Sequence, residues 1–131
     1  MSKSDDDRPA RFDAWVAEEF AATGGFTALI VLVGIRELSI TPLRSTWLHV
    51  IGDELTWPDV AKLFDGAGAD WDGALFAPRT DMTGGPLPDA AARLALRDLG
   101  DRVLEDRTVL NAEHFFDRKG RRLRVEEVPA Q

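Results

Sequence analysis

The chain contains no cysteine. That one absence removes disulfide scaffolds, thiolate nucleophiles, iron–sulfur clusters and thiolate zinc sites. Histidine is scarce, represented by His49 and His114 alone. Lysine is nearly as rare: Lys3, Lys62 and Lys119 stand against thirteen arginines, a usage that fits a GC-rich, bacterial coding sequence. Four serines are present, Ser2, Ser4, Ser39 and Ser45, and none sits in a GxSxG nucleophile elbow. There is no HExxH pair, no GxGxxG and no Walker lysine, so no zincin, dinucleotide or P-loop chemistry is written in the chain, and no cofactor is implied. Long apolar runs are missing too. The longest, Phe26 to Val33, is far short of a membrane span, and the start Met-Ser-Lys-Ser-Asp-Asp-Asp-Arg-Pro lacks the apolar stretch of a signal peptide. The expectation is a cytoplasmic protein that does not engage membranes.

What is present points to one domain. A chain of 131 residues with 44% hydrophobic side chains can bury a core without help from metal or disulfide. Its net charge of −7 repels phosphate backbones and argues against nucleic-acid partners. Residues 1–8 are polar, acidic and aperiodic, and read as a disordered leader to a single domain over 9–131.

Hydrophobic spacing then sets the element order. Phe12, Trp15, Val16 and Phe20 recur at helical spacing, with Pro9 suited to the first turn and Gly24-Gly25 to the stop. Phe26–Val33 is apolar on both alternating faces, which predicts a central strand covered on two sides, and Gly34 marks a candidate bulge. Ser39–Pro42 reads as a turn. Leu43–Ile51 reads as a second strand, with Leu43, Trp47, His49 and Ile51 on one face and Thr46, Leu48 and Val50 on the other. Thr56-Trp-Pro-Asp59 carries a helix-start signal, and Gly73–Ala77 predicts a third strand ended by Pro78. Residues 78–88 form a mobile loop. From Asp89 a helix places Ala92, Leu96, Leu99 and Val103 in register, with Gly100 as a possible break. Thr108–Phe116 and Arg121–Val128 predict a terminal hairpin about the turn Asp117–Gly120. The order α-β-β-α-β-α-β-β describes an α+β fold, with a mixed, largely antiparallel sheet of about five strands and two or three packed helices. The doubly apolar first strand requires either helices on both sides or a second copy of the chain.

Several groups are candidates for function. His49 and His114 both fall on expected strands and, if those strands were neighbours, could form a metal or acid–base site with Glu113, Asp53 or Glu54. Asp65–Gly73 resembles a calcium loop in its Asp and Gly spacing but lacks ligands at both ends, so a simple turn is the better reading. Arg79, at the foot of the 79–88 loop, is a candidate anion contact. The terminal hairpin is the one basic region: residues 117–131 carry a net +2 against −9 for the remainder. Its cations Arg118, Lys119, Arg121, Arg122 and Arg124 protect an edge strand or dock an acidic partner. Trp57 and Trp71 add candidate interface anchors.

Two classes of function follow. The first is a non-catalytic interaction or accessory domain, acting as a homodimer or within a complex. The second is a small-molecule-binding domain or small hydrolase using His49 and His114, with the 79–88 loop as its lid. The absence of recognisable chemistry favours the first.

Overall fold

The computed structural model describes residues 8–37, 39–52 and 54–125. The order of elements is α1 (Phe12–Thr23), β1 (Phe26–Arg36), β2 (Ser39–Val50), α2 (Trp57–Asp65), β3 (Gly73–Arg79), α3 (Asp89–Glu105), α4 (Val109–Ala112) and β4 (His114–Asp117). The sheet has four strands in the order β2-β1-β3-β4, and every pairing is antiparallel. This is the expected α+β class with one strand fewer. Among the described residues no helix is long and apolar enough to cross a membrane.

β1 sets the layering. From Phe26 to Val33 every residue is buried, so each sheet face needs a cover, and the chain's own helices supply both. On one face Phe26, Ala28, Ile30 and Leu32 pack with Ala74, Phe76 and Phe116 beneath α1 and α2. On the other Leu29, Val31 and Val33 join Leu75, Ala77 and Phe115 beneath α3 and α4. α3 buries Ala92, Leu96, Leu99 and Val103 and runs unbroken through Gly100. The first face is aromatic: Phe12 meets Phe76 at 4.8 Å between ring centroids and Trp57 edge-on at 5.2 Å. Rings that meet at such angles gain attraction beyond area burial.

Local chemistry explains where the sequence expectations shift. Ser39–Pro42 is strand, not turn, because β1 and β2 form one long hairpin. The irregularity expected at Gly34 lies across from it: Leu32 faces Arg44 and Val33 faces Pro42, leaving Leu43 as the extra residue of a bulge. The bulge carries Leu43 to the α1/α2 face, away from Trp47, and its side chain fills the space beside Gly34. Pro78 does not end β3. It pairs with Ala28 beyond the last β3–β4 partner, Phe76, in a stretch of β3 flanked by one strand, where a missing N–H is tolerated. Pro9 precedes α1, whose first turn is instead held by the Phe12 amide donating to the Gly120 carbonyl at 2.9 Å. Residues 109–112 are helical, so the terminal hairpin begins at His114. Its turn is as expected, with Gly120 left-handed at φ 77°. The remainder of the expected last strand, 126–128, lies outside the described residues, as do residues 1–7 of the leader. Arg8 is fastened by hydrogen bonds from its guanidinium to the Glu113 and Asn111 carbonyls at 2.6 and 2.8 Å.

Two glycines give opposite tests. A Cβ on Gly100 meets nothing within 4 Å, so Gly100→Ala should stabilise the chain by about 0.5–1 kcal/mol through helix propensity. A Cβ on Gly120 would meet the Trp57 ring at 2.7 Å from a left-handed backbone, so Gly120→Ala should cost about 2 kcal/mol or more. Urea denaturation of the two variants reads both signs.

Candidate functional site

Register brings three polar residues abreast at one end of the sheet. Thr27 of β1 faces His49 of β2 on one side and Arg79 of β3 on the other. The Thr27 hydroxyl is fully buried and accepts the Leu87 amide at 2.8 Å. It lies 2.9 Å from His49 Nδ1, while His49 Nε2 lies 3.2 Å from Asp89 Oδ1 at the start of α3. With the hydroxyl oxygen accepting from Leu87, its proton is available to His49 Nδ1. In the tautomer with hydrogen on Nε2, the ring accepts from Thr27 and donates to Asp89. A threonine, a histidine and an aspartate in hydrogen-bonded sequence invite comparison with a nucleophile relay. The geometry opposes it, since a hydroxyl with no exposed surface offers no route to substrate. The row is a fastening: it ties the 80–88 loop and the head of α3 to the sheet.

The loop itself is closed locally. The Asp81 amide donates to the Gly85 carbonyl at 2.9 Å, and the Thr83 hydroxyl to the Asp81 carboxylate at 2.8 Å.

His114 lies elsewhere. It is on β4, the opposite edge of the sheet, level with Phe76 on the aromatic face, and its ring stacks on Trp15 at 4.6 Å. Two strands and the sheet plane separate the histidines, so the neighbouring strands that a joint site requires are not formed. Asp53 lies outside the described residues. Glu113 is engaged by Arg79, with Nη2–Oε2 at 2.8 Å and Nη1–Oε1 at 3.5 Å. Arg79 therefore spends its fork on an internal carboxylate rather than on an incoming anion. Nearby, burial pushes the Glu19 carboxyl above its ordinary range, and Glu18 and Glu113 reinforce this by repulsion.

Three cations of the basic hairpin are engaged by neighbours within the fold, although Arg122 alone of the five is partly buried. Arg118 donates to the Trp71 carbonyl at 2.7 Å, reaches Asp65 at 3.4 Å and stacks 4.8 Å above the Trp71 ring. Arg121 pairs with Asp117 at 2.9 Å. Arg122 lies over Phe116 at 4.9 Å and donates to the Pro9 carbonyl at 2.7 Å. Arg118, Lys119, Arg121 and Arg124 are all exposed. Trp57 and Trp71 are core residues rather than surface anchors, 8% and 1% exposed. Each indole N–H finds a partner inside the fold: Trp57 the Arg118 carbonyl at 2.8 Å, and Trp71 the Asp65 carboxylate at 3.1 Å. Of the other aspartates in the calcium-like stretch, Asp72 accepts the Ile35 amide at 2.7 Å. Among the described residues no group of three or more His, Asp or Glu is arranged to hold a metal ion.

An open groove among the described residues was not anticipated from the sequence. Between the C-terminal end of α2 and the outer half of β2 runs a groove of about 480 Å³. Ile30, Leu32 and Phe64 form its floor, Leu63 projects from one wall, and Arg44 and Lys62 stand at its rim. Leu63 is half exposed, at 50%. A signal for it existed in the sequence: Leu63 is an apolar residue off the Trp57–Val60–Phe64 stripe that α2 turns to the core. Arg44 donates to its neighbour's carbonyl at 2.9 Å, and among the described residues neither Arg44 nor Lys62 forms an ion pair.

Two outcomes test the fastenings. Thr27→Val leaves the Leu87 amide without its acceptor, so the chain should lose about 1–3 kcal/mol, and the Leu87 amide should exchange with solvent faster. At Asp117 burial alone would raise the carboxyl. Hydrogen bonds from the Arg121 and Lys119 amides and from the Arg121 side chain outweigh it and hold the group below its ordinary range. A lowered folded value contributes stability that is present above the unfolded value, about 3.9, and is lost as pH falls through the folded one. Asp117→Asn should therefore unfold at lower urea than the parent near neutral pH, with the gap closing below about pH 3.

Comparison of the chain with known protein families, with curated proteins and with solved structures gave no match, so the geometry of its own residues carries the functional argument.

Proposed function

We propose that the protein is a non-catalytic interaction domain of the cytoplasm that docks a protein partner along the outer edge of β2. The observation that carries this reading is an open strand edge beside an open groove. β2 is twelve residues long, stands at the end of the sheet and, among the described residues, pairs on one side alone. An unpaired edge offers a row of amides and carbonyls to an incoming strand. Its first half is blunted by Pro42 and the Leu43 bulge, devices that deter promiscuous pairing. Its second half, Ser45–Val50, has no proline and no lysine, and Arg44, Ser45 and Thr46 in the middle of the strand line the groove.

The other surfaces support the same choice. Both sheet faces are covered by helices of the chain itself, so a second copy is not needed as a lid. The groups that suggested chemistry are committed internally: His49 to Thr27 and Asp89, Arg79 to Glu113. The acidic surface disfavours nucleic acid.

A photo-crosslinking amino acid placed at Ser45 or Thr46, both exposed on β2, tests the edge in the native cell. Leu104, 71% exposed on α3, is the control position. The expected result is one discrete adduct from the β2 positions and none from Leu104. An adduct of twice the chain's mass would make the partner a second copy. Equal labelling at Leu104, or no adduct from β2, would overturn docking at this edge.

A further inference from the structure

We infer that the segment received at β2 is an extended acidic–apolar strand whose groove-facing residues, every second one along it, set aliphatic side chains against Leu63 and carboxylates on either side of them toward Arg44 and Lys62. The inference rests on the proposed docking at β2 and specifies the chemistry of what docks there.

Charge is the first argument. In a chain of net charge −7, two cations stand at the rim of one groove, and neither forms an ion pair among the described residues. The acid best placed to neutralise Lys62 from within α2 is Asp65, three residues on. Asp65 is turned away, accepting from the Trp71 indole and from Arg118. Beyond Arg44 a second depression of about 370 Å³ continues toward Asp70 and Asp72. An acidic segment is therefore met by cations at Arg44 and Lys62, whereas the second depression, which also holds Arg36, is of mixed charge.

Shape is the second argument. The floor residues Ile30, Leu32 and Phe64 are almost wholly buried, at 0, 3 and 2% exposure, so the accessible apolar surface is that of the wall, chiefly Leu63. A half-exposed leucine above a dry floor takes an aliphatic side chain well, and 480 Å³ admits more than one. A strand paired to β2 presents alternate side chains to each sheet face, so every second residue would meet the groove. A free amphiphile would leave the edge amides and carbonyls unmet, whereas a polypeptide satisfies both features. A second copy of β2 fits less well. Antiparallel pairing about the middle of β2 sets Arg44 opposite or diagonal to its own counterpart, and like charges so placed repel.

The test uses the full chain and a seven-residue capped probe of sequence Glu-Thr-Leu-Thr-Leu-Thr-Glu, in which the glutamates and leucines share one face. A control peptide carries lysine in place of each glutamate. Amide shifts in a nitrogen–proton correlation spectrum locate binding, and calorimetry gives Kd. Expected are shifts in β2 and the end of α2 with the acidic peptide and weaker binding of the basic one. Arg44→Glu with Lys62→Glu should weaken the acidic peptide by about tenfold, because each reversal replaces attraction with repulsion, and should favour the basic peptide. Leu63→Ser should weaken both. All three positions are exposed, and circular dichroism confirms that the variants fold.

If both peptides shift β2 with equal affinity, the acidic assignment is overturned while docking at the edge stands. If neither shifts β2 although crosslinks form there in the cell, the acidic–apolar assignment fails and the edge remains a docking site for another sequence. If neither peptide nor crosslink reports on β2, both readings fall. If sedimentation shows a dimer with β2 at its interface, the occupant is a second copy and this inference is wrong.

Discussion

A strand that is apolar on both sides cannot stand at a surface, and the rest of this molecule follows from that constraint. Phe26 to Val33 must be sealed above and below. The chain meets the need by placing α1 and α2 over one face and α3 with α4 over the other. Such three-layer packing is common where parallel strands are joined by helical crossovers. Here the sheet is entirely antiparallel, and the helices are threaded between hairpins instead. The two covers differ in kind. One is a mass of rings, in which Phe12, Trp15, Trp57, Phe76 and Phe116 touch one another at tilted angles. The other is aliphatic, built on a helix whose buried residues are small or branched.

The polar residues serve this arrangement. Asp13 of α1 accepts the Trp57 amide at 2.7 Å, so one helix caps the next. Asp59 accepts the Thr56 amide at 3.3 Å and hydroxyl at 2.9 Å, closing the same helix start from within. Arg118 and the indole of Trp71 converge on the Asp65 carboxylate at the far end of α2. A helix of nine residues is too short to persist by propensity alone. α2 holds because both of its ends are pinned by side chains from other elements.

Legibility in the sequence followed the range of the interactions. The helical stripe of α3, the two-faced character of β1 and the left-handed turn at Gly120 are encoded within a few residues, and each is where spacing places it. Boundaries set by partners were not legible. Pro78 continues a strand because β4 stops two residues earlier, and Leu43 changes face because of a register shift against β1. The site suffered in the same way. Run together in sequence, Arg118 to Arg124 look like a cationic patch, and only the fold shows that Asp117, Asp65 and the rings of Trp71 and Phe116 engage three of the five. Arg44 and Lys62 lie on separate elements, and only the fold makes them neighbours of one groove.

The seam between the two ends of the chain has a consequence in time. The Phe12 amide donates to Gly120, the Arg122 amide donates to Ala10, and Arg11 bridges Arg121. α1 is thus anchored by residues that lie more than a hundred positions later in the chain. Until that hairpin forms, Phe12 and Trp15 have no Phe116 to close upon. Closure of the aromatic layer therefore depends on contacts of long range in sequence, which form more slowly than local ones.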